Sequence, residues 1–316
     1  MYITAITDIG NNTITKEVLC TLLYYDIFNY PLKKQEIIRF LRSSPDNEQS
    51  VSDALQKLKA ERLVFQFGEL FSVQNNEGHI TRRILGNREA EKFMAIARKQ
   101  AKLIAQFPFV RAVMASGSLS KGFMDKNSDL DFFIVTAPGG LWIARTLLVL
   151  YKRIFRLNSH KRFCINYFVD TEHLEIEEKN LFTATELATL VPLYGREYYA
   201  QLLDRNEWLL NFFPNYSGAS LQNVPTGNVR GLKRAFEAIA NTSFGVKLNT
   251  FFMNISLHRW KRLYEKKYAA PDFQVAFKTK QYASKNHPNH YQQKIRDLYT
   301  AKLENFNVTL EAKWHE

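Results

Sequence analysis

Apolar residues in the first quarter of the chain recur at the spacing of helices. A first helix is predicted over TKEVLCTLLYYDIFNY by Val18, Leu19, Leu22, Leu23 and Ile27. Pro31 is expected to open a second helix, PLKKQEIIRFLR, because proline is favoured at the first helical position. A third helix is predicted over SVSDALQKLKAERLV. The segment LVFQFGELFSV then predicts a hairpin of two short strands around Phe67, Gly68 and Glu69.

Three short helices followed by a hairpin resemble a winged helix-turn-helix, so residues 1–80 are expected to form a winged-helix-like domain. If the third helix is a recognition helix, its candidate DNA contacts are Gln49, Gln56, Lys57, Lys59 and Arg62. Lysine and arginine on an exposed helix face are more often only solvated. A structural or protein-docking wing is therefore the alternative to DNA binding.

The middle of the chain alternates between helix and strand patterns. A long amphipathic helix, NREAEKFMAIARKQAKLIAQFP, is expected to end at Pro108. Strands are predicted over PFVRAVMASGS, DLDFFIVTA and RFCINYFVD, and a helix is predicted over GLWIARTLLVLYKRIFRL, between the second and third strands. This order predicts a small mixed sheet packed against helices.

The last third of the chain is predicted to be helical. LFTATELATLVPLYG and REYYAQLLDRNEWLLNFF are the next expected helices, and PNYSGASLQNVPTGN has the composition of a linker. The remainder is basic and is expected to be helical throughout. Residues 81–215 are therefore assigned to a central core and residues 216–316 to a helical, basic C-terminal region.

Composition narrows the class of partner only slightly. The chain of 316 residues has 43 Lys and Arg against 31 Asp and Glu, a formal charge of +12 that favours anionic partners. Its only cysteines, Cys20 and Cys164, lie far apart in apolar surroundings, which favours buried thiols over a disulfide or a cysteine-rich metal site. No stretch approaches the roughly 18 apolar residues of a membrane span, and no signal peptide is evident. The expectation is a soluble, cytoplasmic protein.

The segment ASGSLSKGFMDKNSDLDFFIV, residues 115–135, contains the candidate chemistry. Small residues at the end of its first strand allow backbone amides to approach an anion. Asp129 and Asp131 stand at positions i and i+2, which point to the same side of a strand. Two carboxylates on one face, beside a phosphate cradle, suit Mg²⁺ or Mn²⁺ together with a nucleoside triphosphate.

Gly117 and Ser118, a spacer of ten residues and then Asp129-Leu130-Asp131 in an apolar strand resemble the signature of the DNA polymerase β-like nucleotidyltransferase superfamily. The resemblance implies an α+β fold with a small mixed sheet as the nucleotidyltransferase core, flanked by helices. It implies that Gly117 and Ser118 contact the triphosphate, with Ser128 and Lys121 as further binding candidates. It also implies that Asp129 and Asp131 hold the metal ions. The segments TATELATLVPLYG and RNEWLLNFFPN resemble a bacterial group of nucleotidyltransferase-domain proteins with an N-terminal winged-helix-like region.

Members of this superfamily have a third carboxylate on a neighbouring strand, where this chain aligns Asn166. An asparagine oxygen can ligate a metal, but the amide cannot accept a proton as a base. Glu186 is the favoured catalytic substitute, and Asp170 is another candidate. The remaining alternatives are catalysis with two carboxylates and loss of catalysis.

The leading functional hypothesis is therefore transfer of a nucleoside monophosphate from a nucleoside triphosphate to a hydroxyl acceptor. The acceptor could be a small molecule, RNA or protein. One alternative is a nucleotide-sensing module that binds DNA or a protein without turnover. Another is a purely structural or interaction protein that retains only the fold.

Overall fold

The structure, a computed structural model, describes residues 13–45, 47–155, 163–229, 231–240, 242–286 and 291–308. Over these residues the chain is a mixed α+β protein with a small mixed sheet and flanking helices, as the sequence predicts. The described helices are α1 (Thr13–Asp26), α2 (Lys34–Arg39), α3 (Glu48–Ala60), α4 (Glu77–Ile104), α5 (Gly117–Ser120), α6 (Leu141–Phe155), α7 (Leu181–Ala188), α8 (Arg196–Asp204), α9 (Leu232–Ala240), α10 (Ser243–Tyr264), α11 (Ala270–Ala276) and α12 (Tyr291–Asn305). The described strands are β1 (Leu32–Lys33), β2 (Phe65–Phe67), β3 (Leu70–Ser72), β4 (Val110–Ser116), β5 (Asp131–Thr136), β6 (Cys164–Asp170), β7 (Val191–Tyr194), β8 (Thr279–Lys280) and β9 (Ala283–Lys285). None of the described helices combines the length and the apolar character that crossing a membrane requires.

Helices α1, α2 and α3 and the sheet β1-β3-β2 form the N-terminal unit, α1 to β3. The predicted hairpin is confirmed, since β2 and β3 pair antiparallel and Gly68 turns between them with a φ of +60°. The expectation that Pro31 opens a helix is wrong. Leu32 pairs with Phe71, so the chain after Pro31 forms strand β1, and α2 begins only at Lys34.

The central sheet has six strands in the order β7-β4-β5-β6-β9-β8. Strand β4 is antiparallel to both β5 and β7, whereas β5 and β6 run parallel. Strand β9 pairs antiparallel with both β6 and β8. The three strands predicted from the sequence are therefore neighbours at the centre of the sheet, and the end of β4 adjoins the start of β5.

Each face of the central sheet has its own apolar core. Phe133 and Val135 of β5 pack in a cluster with the N-terminal unit, α7, α8 and α12. Ile134, which points to the other face, packs in a second cluster with Trp142 of α6 and Trp260 of α10. The sheet thus separates two layers of helices, and a side chain's position along β5 decides which layer it meets.

Short strands account for most of the differences from the sequence prediction. The segment predicted as one helix, LFTATELATLVPLYG, forms α7 and then β7, which pairs with β4. The C-terminal region, expected to be helical throughout, contributes β8 and β9 to the sheet. These strands have only two to four residues. They form because a neighbouring strand offers unpaired backbone groups, and a local pattern does not reveal that neighbour.

Helix α4 is longer than its apolar pattern predicts. It begins at Glu77 instead of Asn87, and the Asn76 side chain caps it by accepting a hydrogen bond from the Gly78 N–H at 2.9 Å. The expected division between residues 80 and 81 therefore falls inside a helix. On α4, Arg83 pairs with Glu36 of the N-terminal unit at 2.8 Å, so the helix is tied to that unit.

Asn249 of α10 caps the start of α6 from outside that helix. Its Oδ1 accepts hydrogen bonds from Trp142 N at 2.8 Å and Ile143 N at 3.3 Å. The substitution Asn249→Ala removes the acceptor from two buried donors, and we expect it to lower the free energy of unfolding by about 1–3 kcal/mol. Chemical denaturation followed by circular dichroism measures this loss. The control is Asn254→Ala at an exposed position of the same helix, which is expected to change stability by less than about 0.5 kcal/mol. Equal losses in the two variants would contradict the capping role.

Candidate functional site

The site lies where β4 ends and β5 and β6 begin. In the sheet register Ser116 lies opposite Asp131, and Asp131 lies opposite Cys164. Gly117 follows β4 with a φ of +64°, a left-handed conformation that glycine adopts without strain, and opens the one-turn helix α5. A Cβ atom on Gly117 would overlap the Asp131 carboxylate. Glycine at this position therefore lets the backbone turn approach that carboxylate.

Asp129 does not share a strand with Asp131. Strand β5 begins at Asp131, and Asp129 belongs to the loop before it, so the expectation that both residues lie inside the strand is wrong. The loop is closed locally by Ser128, whose Oγ donates to Asp125 Oδ1 at 3.0 Å and accepts from Asp125 N at 3.1 Å. The Ser128 hydroxyl is thus engaged within its own loop. Asp129 still acts on Asp131, because its negative charge adds to the rise in the pKa of Asp131 that burial causes.

Asp131 is a carboxyl group whose ionisation is disfavoured. Burial raises the pKa of Asp131 to about 7, and the negative charge of Asp129 adds to the rise. A hydrogen bond involving Cys164 and the positive charge of Lys121 act in the opposite direction, while Glu186 raises the pKa further. Loss of solvent on burial, together with the charge of Asp129, therefore disfavours the ionised form of Asp131.

Asn166, the residue that the sequence aligns with a third carboxylate, contacts Asp131. Its amide nitrogen donates a hydrogen bond to Asp131 Oδ1, and its amide oxygen accepts from Cys164 Sγ at 2.9 Å. Burial raises the pKa of the Cys164 thiol to about 12, so this thiol remains protonated and able to donate. In this arrangement the amide oxygen, which is the atom that could ligate a metal, faces Cys164.

Glu186 lies near the aspartates and is paired with Lys121. Its Oε1 is 2.7 Å from Lys121 Nζ, which also donates to the Gly117 carbonyl at 3.2 Å. Asp170 lies elsewhere, opposite Thr136 at the other end of β5. Its Oδ1 accepts hydrogen bonds from the backbone of the following turn. Of the two candidate substitutes for the third carboxylate, only Glu186 is on the side of Asp131.

Two buried lysines near the site are not evident from the sequence pattern. Lys152, in the last turn of α6, has a pKa lowered by burial, and Cys164, Asp129 and Asp131 oppose that shift. Lys285, on β9, is 8% exposed and lies opposite Tyr167, one residue after Asn166. The basic character of both segments is visible in the sequence. Which of their lysines turns inward depends on the packing of α6 and β9.

Other members of the basic C-terminal region have different roles. Lys278 pairs with Glu178 at 2.8 Å, and Lys280 pairs with Glu177 at 2.6 Å. These pairs neutralise two of the positive charges of the region. Burial lowers the pKa of Lys285, and the negative charges of Glu178 and Glu186 oppose that shift.

The donor set can be compared with the needs of a divalent cation. Among the described residues, no group of three or more His, Cys, Asp and Glu side chains is placed to hold a metal ion. The aspartate pair offers hard oxygen ligands, and rotation of the Asn166 amide would add a third oxygen. A cation would also favour the ionised form of Asp131, which burial and the charge of Asp129 disfavour. These residues therefore fit Mg²⁺ or Mn²⁺ better than they fit zinc.

The chain was compared with protein-family models, with curated proteins and with solved structures, and none of them matches it.

Proposed function

We propose that this protein is a nucleotidyltransferase, which transfers a nucleoside monophosphate from a nucleoside triphosphate to a hydroxyl acceptor with the help of Mg²⁺ or Mn²⁺. The observation that carries the proposal is the position of the Asp131 carboxylate against the turn at Gly117, with Asp129 two residues before it. Burial and mutual repulsion raise the pKa of Asp131 to about 7. Such a pair is costly in isolation and becomes favourable when a divalent cation binds it.

Different residues of the chain would bind the metal ion and the triphosphate. Asp129 and Asp131 would hold the metal ion, and Asn166 would join them after its amide rotates. Backbone N–H groups of Gly117 and Ser118 would bind the triphosphate, with Lys121 as a nearby cation. The bound metal ion would neutralise charge on the phosphate oxygens.

In the proposed reaction the acceptor hydroxyl oxygen forms a bond to the α-phosphorus. The bond between that phosphorus and the bridging oxygen of the β-phosphate breaks, and pyrophosphate leaves with the electron pair. The hydroxyl proton must pass to a base, for which Glu186 is the candidate. Lys121 holds Glu186 at 2.7 Å, so a turn of Lys121 towards the triphosphate would release the carboxylate to accept the proton.

Labelled nucleoside triphosphate and Mg²⁺ provide the test. We expect label to pass from the nucleotide to the protein itself, to RNA or to a small molecule. Glu186→Gln should lower the rate about 10²- to 10⁴-fold, the usual contribution of a general base. Glu177→Gln is the matched control, since Glu177 is also paired with a lysine but lies at Lys280, and it should leave the rate unchanged.

The double variant Asp129→Ala/Asp131→Ala should transfer no label. The proposal fails if the parent protein transfers label to none of the three acceptor classes. It also fails if the double variant is as active as the parent. Retained activity in Glu186→Gln alone would leave the reaction in place and exclude Glu186 as the base.

A second candidate function is nucleotide sensing without turnover. Two observations favour it. Asn166, which stands where the resemblance implies a third carboxylate, donates a hydrogen bond to Asp131, and Glu186 is already paired with Lys121. Calorimetry with ATP and Mg²⁺ separates the candidates. Binding that the double aspartate variant abolishes, together with no transfer of label, would support the sensor.

The N-terminal unit is proposed to bind DNA or to dock a partner protein. Two of its candidate contacts on α3 already have partners, since Gln49 donates to Asp53 at 2.8 Å and Lys59 donates to Gln66. The unit also contacts the site region, because Tyr30 Oη donates to the Lys121 carbonyl at 3.0 Å. Through this contact, binding of DNA or of a partner protein to the N-terminal unit would change the position of Lys121. Duplex-DNA affinity at about physiological salt, with its dependence on salt concentration, decides whether DNA is the partner.

A further inference from the structure

The outer face of α10 has large apolar side chains in contact with water. Phe244 is 66% exposed, Phe251 is 57% exposed and Ile255 is 49% exposed. Their spacing of seven and four residues places them on one side of the helix, and His258 and Arg262 continue the same line towards its C-terminal end. We call these five residues the α10 stripe. Its first half is apolar and its second half is cationic.

The inner face of α10 fixes the direction in which the stripe points. Asn249 and Trp260 are buried, and they lie roughly 160° to 180° around the helix axis from Phe251. Asn249 Oδ1 accepts a hydrogen bond from Trp142 N of α6 at 2.8 Å, and the rings of Trp260 and Trp142 are 6.0 Å apart. The stripe therefore faces away from α6, on a helix whose other side is fixed in the core.

The charge around the stripe has one sign. Helix α10 contains Lys247, Arg259, Lys261 and Arg262 but no Asp or Glu, and the helix behind it, α6, contains no Asp or Glu either. Within the part of the chain that the structure describes, no carboxylate forms an ion pair with any of these four cations. The first acid after the helix, Glu265, is followed by two lysines. The face is therefore suited to an anionic partner.

The stripe lies on an open surface. The shallow groove along it is lined by residues of α10 alone, namely Phe251, Asn254, Ile255, His258, Arg259 and Arg262. A face on a single helix, without side walls, cannot surround a small molecule, and it offers no strand edge to a peptide. Such a face fits an extended partner that has an apolar interior and an anionic surface.

We propose that the α10 stripe docks the protein on a membrane surface that contains anionic lipids. Phe244, Phe251 and Ile255 would enter the boundary between headgroups and acyl chains, and the cations of the second half would lie among the anionic headgroups. The helix would lie on the membrane without crossing it, because its inner face stays packed against α6. Nucleic acid is the competing partner, but it would leave Ile255 in water, since bases stack on aromatic rings and phosphates pair with the cations.

The stripe is separate from the proposed nucleotidyltransferase site. Trp260 of α10 belongs to the apolar cluster on one face of the sheet. Asp131 shares its side of β5 with Phe133, which belongs to the cluster on the other face. The inference therefore does not depend on the nucleotidyltransferase activity, and it can be tested in EDTA without nucleotide.

Sedimentation of the full chain with vesicles tests the proposal. We expect the protein to sediment with phosphatidylcholine vesicles that contain phosphatidylglycerol and to stay in solution with pure phosphatidylcholine. Arg259→Gln/Arg262→Gln should weaken binding at least about tenfold, since each cation near an anionic surface contributes about fivefold in affinity. Phe251→Ser/Ile255→Ser should also weaken binding at least about tenfold, because two apolar side chains no longer leave water. All four positions are exposed, so the melting temperatures should stay close to that of the parent.

Two double variants of α4 are the matched controls. Ile84→Ser/Leu85→Ser removes two exposed apolar side chains, and Arg98→Gln/Lys99→Gln removes two exposed cations. Both should bind the anionic vesicles as the parent does. The proposal is overturned if the parent does not bind these vesicles, or if the stripe variants bind as tightly as the parent. It is also overturned if the α4 cation variant loses as much binding as the stripe cation variant, because total charge would then explain the binding.

Insertion of the apolar half has its own measurement. With the anionic vesicles, Phe251→Trp should gain fluorescence that brominated lipid quenches, whereas Leu85→Trp on α4 should gain none. Equal quenching in these two variants would overturn the proposal. Binding of a single-stranded oligonucleotide that depends on the stripe, without vesicle binding, would overturn it in favour of nucleic acid. Dimers that Phe251→Ser/Ile255→Ser abolishes, again without vesicle binding, would overturn it in favour of a second copy of this chain.

Discussion

Replacing Asp131 with asparagine is expected to stabilise the metal-free protein and to remove its response to Mg²⁺ and nucleotide. Burial and Asp129 raise the pKa of Asp131 to about 7, whereas an unfolded aspartate titrates near about 4. Between these values the folded state binds more protons than the unfolded state does. The contribution of Asp131 to the free energy of unfolding therefore falls as pH rises through this window. Above about pH 7 the folded state carries the full destabilisation that ionised Asp131 causes.

The expected size of this cost is at most about 4 kcal/mol, from a pKa shift of roughly three units. Asp131→Asn should therefore exceed the parent in stability by up to that amount at about pH 8, with a difference that shrinks as pH falls towards about 5. Denaturant unfolding at several pH values, without metal, measures the difference. Asparagine keeps an oxygen that can accept the hydrogen bond from Asn166, so the change tests the charge more than the packing.

The matched control is Asp125→Asn, which removes a carboxylate from the preceding loop. Hydrogen bonds from Asn127 and Ser128 and the nearby Arg82 outweigh desolvation and lower the pKa of Asp125. Its charged form therefore stabilises the fold above the unfolded pKa, and the control should destabilise the protein there.

In the parent, Mg²⁺ with ATP should raise the melting temperature, and in Asp131→Asn it should not. If the Asp131→Asn variant is less stable than the parent at about pH 8, ionisation of Asp131 does not destabilise the folded protein and the prediction is wrong.

Gly117→Ala is expected to disable the candidate site and to destabilise the protein at the same time. Gly117 has a φ of +64°, and a Cβ atom there would overlap the Asp131 carboxylate. The left-handed conformation costs a non-glycine residue about 1–2 kcal/mol, and the overlap adds a further 1–3 kcal/mol or so. Moving the carboxylate by about 1 Å should weaken catalysis by roughly a hundredfold. Denaturant unfolding and the labelled-nucleotide assay measure the two effects.

Gly139→Ala separates these two causes. Gly139 has a φ of +70°, close to that of Gly117, but a Cβ atom there meets nothing within 4 Å. The control should therefore lose only the conformational part of the stability and should keep the response to Mg²⁺ and nucleotide. If Gly117→Ala behaves like Gly139→Ala in both measurements, the close approach of the turn to Asp131 has no functional importance.

The site illustrates how far sequence patterns extend. Glycine followed by serine at a strand end, and two aspartates before an apolar run, predict that a turn lies beside two carboxylates. The pairing of β4 with β5 confirms this for one of them, since Ser116 at the end of β4 lies opposite Asp131. The same pattern places Asp129 in the strand, which is wrong, because Ser128 and Asp125 close a turn that delays the start of β5. Competition between a local side-chain turn and strand pairing decided that boundary.

The partners of the site residues come from distant parts of the chain. Lys121 pairs with Glu186, and Asn166 contacts Asp131, because α7 and β6 lie beside the end of β4. The inward positions of Lys152 and Lys285 depend in the same way on how α6 and β9 pack. The sequence shows which side chains are charged. The loss of solvent that shifts a pKa arises only when several helices and strands enclose the group.

Local signals in the sequence are enough to predict the hairpin at Gly68, the central strands β4, β5 and β6, and helix α6 between β5 and β6. Their apolar periodicity and turn residues act over a few neighbouring positions. The short strands β7, β8 and β9 and the pairing of Glu186 with Lys121 depend instead on the tertiary structure. Each of these depends on backbone or charged groups far apart in the chain, and their free energies are set by burial and by the neighbour that the fold supplies.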